Sequence, residues 1–178
     1  DYHLNGVSMV YQHFNLFDNQ TALDNCLTPL QMKGISKKIA ISKVTEQFKK
    51  LGIENLLHRK VKNMSGGEKQ RIAIVRAIVT NPSAILCDEP TGALDKNNST
   101  AIMKILKKIS ERILVILVSH NIQLVNQYSD EIITLKDGQI INRISNIKNH
   151  FSNQFKKEKT KYSNKWTDKF LKGNLLSD

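Results

Sequence analysis

Two adjacent carboxylates, Asp88 and Glu89, follow directly on the apolar run Ala84-Ile85-Leu86-Cys87. A strand that ends this way delivers two acids to a sheet edge, where one can hold a magnesium ion and the other can polarise a water. Adjacent side chains at a strand end diverge, so the pair can serve two different atoms. The same acids are equally suited to capping the helix that follows, and residue types alone leave both readings open. Leu117-Val118-Ser119-His120 repeats the arrangement, with an imidazole just past a second apolar run, where it would reach a phosphate oxygen or serve only as a structural histidine. Ser65-Gly66-Gly67 adds a third element. Small residues at a helix start expose backbone N–H groups and the positive end of the dipole to an anion, although Ser-Gly-Gly is also an ordinary helix cap.

The elements that must position these residues follow from the hydrophobic pattern. Gly6 to Tyr11 is a short β-prone run that ends at Gln12 and leads into a polar, aromatic loop through Gln20. From Thr21 to about Val61 the apolar residues fall at helical spacing, with Ile41, Val44, Phe48 and Leu51 on one face and Gly34 and Gly52 as punctuation, so two or three helices are expected. Ser65, with Glu68 three residues on, is a capping-box start for a helix that stops at Asn81-Pro82. The continuous runs Ala84 to Cys87 and Ile113 to Val118 predict strands buried on both faces. A helix from about Asn98 to Ser110 separates them, and a short helix near Gln123 and a hairpin around Asp137-Gly138 complete the series. Alternation of strand and helix predicts an α/β domain with a largely parallel sheet, whose ligand site lies beyond the carboxyl ends of the strands.

With 178 residues, 40% of them hydrophobic, the chain can bury one core, and no apolar run approaches the roughly 20 residues needed to cross a bilayer. It is expected to be soluble. Cys26 and Cys87 lack the spacing of a zinc site or a disulfide framework, which fits a reducing cytoplasm. The net charge of +11 is uneven: from Asn146 onward eight lysines face three acids. There is no signal-peptide pattern, and the first residue is Asp1, so the chain is expected to begin partway through a longer reading frame.

Taken together, the motifs resemble those of ABC transporter ATPase domains. Met64 to Ala77 (Met-Ser-Gly-Gly-Glu-Lys-Gln-Arg-Ile-Ala-Ile-Val-Arg-Ala) resembles the ABC signature motif and its helix, and Ala84 to Asp95 resembles the Walker B strand running into the D-loop. Val118-Ser-His-Asn121 resembles the H-loop, and Val10-Tyr-Gln-His-Phe-Asn-Leu-Phe17 the Q-loop. The four occur in family order over roughly residues 6–144. Phe14 to Phe17, Thr21 to Asn25, Glu68 in place of the commoner Gln, and Pro90 to Asp95 look most like the macrolide-exporter and lipoprotein-release branch, which implies export or work at the cell envelope.

The resemblance implies a P-loop NTPase-like, three-layer α/β core with a helical subdomain over about residues 21–80, in a partial domain spanning 1–145. It implies that two such domains face head to tail and close over ATP. Ser65, Gly66, Gly67 and Glu68 would then act on the nucleotide of the facing domain, and Asp95 would communicate across the interface. Asp88 would hold Mg²⁺, with Gln12 beside it as a metal or water ligand that senses nucleotide. Glu89 would activate the attacking water and His120 would steady the γ-phosphate. A transmembrane permease, fused or separate, is the implied partner, and the cytoplasmic face of the cell membrane the implied location.

One part of the family pattern is absent: no Gly in the chain is followed by Lys, so no Gly-x-x-x-x-Gly-Lys-[Ser/Thr] phosphate cradle occurs. The domain is therefore expected to be truncated at its N-terminus, and the isolated chain to bind MgATP weakly or not at all. The alternatives are a non-catalytic remnant or interaction module, and an ABC ATPase acting on nucleic acid. The latter is disfavoured because nothing between Thr21 and Met64 sustains the heptads of a long helical arm, so no nucleic acid is expected as partner. Residues 146–178 are expected to be a basic tail: either solvated chain, or a linker toward a permease that lies on anionic lipid with Tyr162, Trp166 and Phe170 along one stripe.

Overall fold

The structure, a computed structural model, describes residues 6–146. These fall into two compact units divided at Ser129 and Asp130. The expected basic tail lies outside the described residues, apart from Asn146.

The first unit is built on a three-stranded parallel sheet in the order β1 (Val7–Val10), β2 (Ala84–Asp88), β3 (Leu114–Val118). The register pairs Val10 with Cys87, and Cys87 in turn with Leu117, so all three strands run out at the same edge. Between β1 and β2 come α1 (Ala22–Met32), α2 (Lys37–Lys50), two single 3₁₀ turns at Glu54–Leu56 and Val61–Asn63, and α3 (Gly66–Ile78). Helix α4 (Lys96–Ile109) joins β2 to β3, and α5 (Ile122–Tyr128) follows β3.

Local chemistry accounts for the helix ends. Helices α1 and α3 both begin in reciprocal capping boxes, Thr21 with Asp24 and Ser65 with Glu68, and α4 begins under the Asp95 carboxylate. Gly34 and Gly52, just past α1 and α2, take positive φ, the left-handed exit that a side chain would resist.

Two apolar clusters fill this unit, and α3 belongs to both. Its Ile72, Val75 and Val79 join Cys26, Leu30, Val44, Phe48 and Leu56 in the helical region. Its Ile74 and Ala77 face Val10, Ile85 and Cys87 of the sheet, together with Ile102, Met103 and Leu106 of α4. Helix α3 is therefore wedged between two cores and buries Ile72, Ala73, Ile74 and Val75 without a gap.

The strands depart from expectation on one point. Burial on both faces was expected for β2 and β3, but helices cover only one face. The face carrying Ile85 and Cys87 is buried, whereas Val7, Met9, Leu114, Ile116 and Val118 on the other are exposed, Leu114 and Val118 by 55% and 58%. The continuous apolar runs identify a sheet meant for two covers; among the described residues it has one.

The second unit is an antiparallel hairpin of β4 (Glu131–Lys136) and β5 (Gln139–Ser145). Its turn is the predicted Asp137-Gly138, both at positive φ, as a two-residue turn matched to strand twist requires. Arg143 of β5 pairs with Glu131 of β4 across the ladder.

Candidate functional site

Because the three parallel strands end together, the residues that follow them meet. Gln12 lies beyond β1, Asp88 and Glu89 end β2, and Ser119 and His120 follow β3. Glu89 extends the ladder by one step, its N–H donating to the Val118 carbonyl at 3.0 Å. There the backbone turns sharply, with Glu89 at φ 44°, a left-handed conformation that is strained for a side chain other than Gly, Asn or Asp. The turn aims the carboxylate sideways at the end of β3. Its Oε1 accepts the His120 N–H at 2.7 Å, its Oε2 lies 3.4 Å from the Ser119 hydroxyl, and the His120 Nε2 is 3.7 Å from Oε1. The Glu89 side chain is only 17% exposed, while the imidazole is 99% exposed and unencumbered.

Gln12 joins this group through Gly92. A β-carbon on Gly92 would stand 3.3 Å from the Gln12 Nε2 and 3.5 Å from the Glu89 β-carbon, so the glycine marks where loop and strand end crowd together. Asp88 is exposed and ends β2 on the sheet face opposite Ile85 and Cys87. The carboxylate of Asp88 and the amide oxygen of Gln12 are hard oxygen donors of the type Mg²⁺ takes, and no cluster of three or more His, Cys, Asp or Glu occurs among the described residues. That donor set fits an ion held by one carboxylate, water and substrate phosphates rather than by a closed protein cage.

The other sequence-predicted residues gather at the start of α3. The Ser65 hydroxyl accepts the Glu68 N–H at 3.3 Å, and the Glu68 carboxylate takes the Ser65 N–H at 2.8 Å. These contacts, the Ser65 N–H first, hold the Glu68 carboxyl below its ordinary range. Gly67 faces the start of α4: a β-carbon there would come within 2.6 Å of the Asn98 side-chain Cγ. Asn98 is itself held by Asp95, whose carboxylate accepts the Asn97 and Asn98 N–H groups at 2.9 and 3.0 Å and the Asn98 amide at 2.5 Å. Those bonds, led by the Asn98 N–H, lower the Asp95 carboxyl. At Gly66 an added β-carbon would lie 3.2 Å from Leu94 and 3.8 Å from Phe14. The start of α3, the turn before α4 and the loop after β1 thus converge on two glycines.

Sequence reasoning missed the residue that fixes the Q-loop. Arg76, ten residues along α3, donates to the carbonyls of Phe14, at 2.9 Å, and of Asn15. Both loop residues are left-handed, at φ 62° and 49°. Burial lowers the Arg76 guanidinium's pKa, and these two hydrogen bonds go to backbone carbonyls rather than to a carboxylate. A half-buried arginine 61 and 62 residues from its acceptors leaves no local pattern. Asn25 is a second such anchor, fully buried, exchanging bonds with the Phe17 N–H and carbonyl at 2.8 and 3.2 Å. Gln70, also fully buried, finds no partner for its side-chain amide among the described residues.

The family described as ABC transporter matches residues 2–92. The methionine import ATP-binding protein MetN 3 of Oceanobacillus iheyensis is 34% identical over 137 residues, and MetN of Vibrio vulnificus 36% identical over 139. These alignments cover 76% and 77% of this chain and 40% of each relative, so the chain spans about 40% of the length of the curated relatives it matches. Among solved structures, the ATP-binding cassette MJ0796 in a dimeric post-hydrolysis state bound to ADP and Pi is 34% identical with a TM-score of 0.69, covering 80% of this chain and 64% of that one. A dimeric structure of MJ0796, a bacterial ABC transporter cassette, is 35% identical with a TM-score of 0.71, covering 82% and 65%. The named relatives are methionine import proteins, not members of the macrolide-exporter and lipoprotein-release branch in which the chain was expected to fall.

Proposed function

Because this chain belongs to the ABC transporter family and has the fold of its ATPase cassettes, we propose that it is the part of a transporter ATPase that completes, rather than begins, the nucleotide site. The observation that carries this reading is the meeting of Gln12, Asp88, Glu89 and His120 at one end of the parallel sheet, with Glu89 fixed by the His120 N–H.

In this reading Glu89 accepts a proton from the attacking water, its carboxylate already oriented before substrate arrives. His120, exposed beside it, donates to a γ-phosphate oxygen. Asp88 and Gln12 hold Mg²⁺, which when bound neutralises phosphate charge. The cradle for the β- and γ-phosphates comes from outside these 178 residues, since no Gly-Lys step exists within them. Ser65 and the amides of Gly66 and Gly67 face the nucleotide of a second cassette, an arrangement favoured by the helix-start field and by the dimeric state of the solved neighbours. The work is transport through a membrane-embedded permease at the cytoplasmic face, and the relatives' names favour uptake over export as its direction. Among the described residues no helix is long and apolar enough to cross a membrane, which is consistent with the permease being built from other sequence.

The test is Glu89→Gln in the full-length protein. Phosphate release is expected to cease while ATP-driven dimerisation persists; undiminished release removes Glu89 from the mechanism.

A further inference from the structure

The start of α3 presents a carboxylate where the proposed function needs an anion to arrive. Glu68 Oε2 takes both the Ser65 N–H, at 2.8 Å, and the Ser65 hydroxyl, at 3.0 Å. The single hydroxyl proton is thereby committed, and a lone pair of the same oxygen receives the Glu68 N–H at 3.3 Å. For Ser65 to donate to a phosphate it must release Glu68. That would leave a full negative charge within one helical turn of an incoming polyanion, and like charges at this range oppose binding.

Arg59 stands where that charge can go. Its Nη1 donates to Glu68 Oε1 at 2.9 Å and its Nη2 to the Asn63 carbonyl at 2.7 Å, so the guanidinium bridges the 3₁₀ turn before Met64 to the free oxygen of Glu68. The Glu68 side chain is 22% exposed and Arg59 43%, which places the pair at the surface that a facing domain would cover. The two oxygens of Glu68 are thus divided, one on Ser65 and one on Arg59. A glutamine, the commoner residue of the resemblance, would carry no charge to neutralise.

We propose that Arg59 is a positioning residue for the trans phosphate contact: it retains Glu68 as Ser65 lets go, drawing the carboxylate aside and cancelling its charge so that γ-phosphate can reach Ser65, Gly66 and Gly67. The proposal rests on the reading that these residues meet the nucleotide of a second cassette. It makes the ion pair a requirement that only a chain with Glu at this position has.

The test is a double-mutant cycle in the full-length protein carrying Glu89→Gln, reading the ATP concentration that half-saturates dimerisation in sedimentation velocity. Arg59→Ala is expected to raise that concentration about tenfold when Glu68 is present, and less than about twofold when Glu68→Gln is present. Should Arg59→Ala not fold, as judged by circular dichroism, Arg59→Gln keeps a donor for the Asn63 carbonyl while removing the charge, and gives the same comparison. Equal losses in the two backgrounds, or no loss in either, overturn the proposal, because a residue that merely braces the loop does not care whether position 68 is charged. A Glu89→Gln parent that fails to dimerise with ATP overturns instead the trans reading beneath it.

Discussion

The two gatherings of candidate residues are built in opposite ways. At the start of α3 the capping hydrogen bonds are short in sequence and relaxed: Ser65 and Glu68 satisfy each other across one turn, and Asp95 does the same for Asn97 and Asn98 at the start of α4. At the strand ends the contacts are remote and strained: Glu89 reaches Ser119 and His120, 30 and 31 residues on, from a left-handed backbone. Parallel strands can place residues of distant sequence side by side, but only a tight turn can redirect a side chain along the edge instead of out of the sheet face. The helix start therefore serves stability and, under the proposed function, binding at once, whereas the strand end gives up some stability to hold one carboxylate in place.

Substitutions should separate these two designs. The largest effect is expected at the strand end and on rate alone: His120→Ala should lower turnover of the full-length protein by about 10²-fold or more, while its melting midpoint stays unchanged because the imidazole is exposed. A drop in midpoint comparable to a core substitution would show the histidine to be structural. Next comes Arg76→Met, which keeps the stem but loses two charged donors to the Phe14 and Asn15 carbonyls; about 2 kcal/mol of stability should be lost, read by urea unfolding, with greater proteolysis at the loop. An intact loop after this change would mean that its left-handed pair holds itself. Ser65→Ala removes a cap and should cost about 1 kcal/mol in the same assay, and unlike His120→Ala it should weaken stability and nucleotide-driven dimerisation together.

The smallest effect concerns acid. The Glu68 and Asp95 carboxyls are both lowered by hydrogen bonds made only in the fold. Each therefore adds stability above its unfolded pKa, near 4, and loses it as pH falls through the lower folded value. Asp95→Asn, which preserves a good N-cap, should flatten the fall in melting temperature between about pH 4 and pH 2 and leave the neutral value nearly unchanged. A slope identical to wild type would assign the acid sensitivity elsewhere.

What could be seen in advance follows the same division. Capping boxes, the Asp137-Gly138 turn and the sheet-end carboxylates are written within a few residues, so the α/β class, the strand-end acids and the start of α3 were legible from spacing, while Gln12 and Asp95 came from the resemblance of the motifs. The Arg76 grip on the loop after Gln12 was not, because a half-buried arginine bonded to carbonyls has no partner of complementary type in the sequence. Nor was the reason for Gly67, which is the nearness of Asn98, two elements downstream. The apolar runs gave the strands but not their one-sided cover, since a run records what a strand can bury and not what is there to bury it. The branch and direction of transport rested on motif variants such as Glu68, and a single charged substitution at a helix start speaks to local electrostatics, as its bond to Arg59 indicates, better than to cargo.

Helix α3 has a mechanical side as well. Packed on both flanks, it has little freedom to bend, so it behaves as a strut about 15 Å long between Gly66 and Arg76. Its first turn, which under the proposed function meets phosphate, lies beside Phe14, and Arg76 near its far end grips the carbonyls of Phe14 and Asn15 in the same loop. Under the proposed function, a tug of an ångström at the nucleotide would therefore arrive at the loop as a tug of about the same size, without needing any chain of rearranged side chains to pass it on. Force applied in reverse, by whatever presses on that loop, would travel back along the same strut.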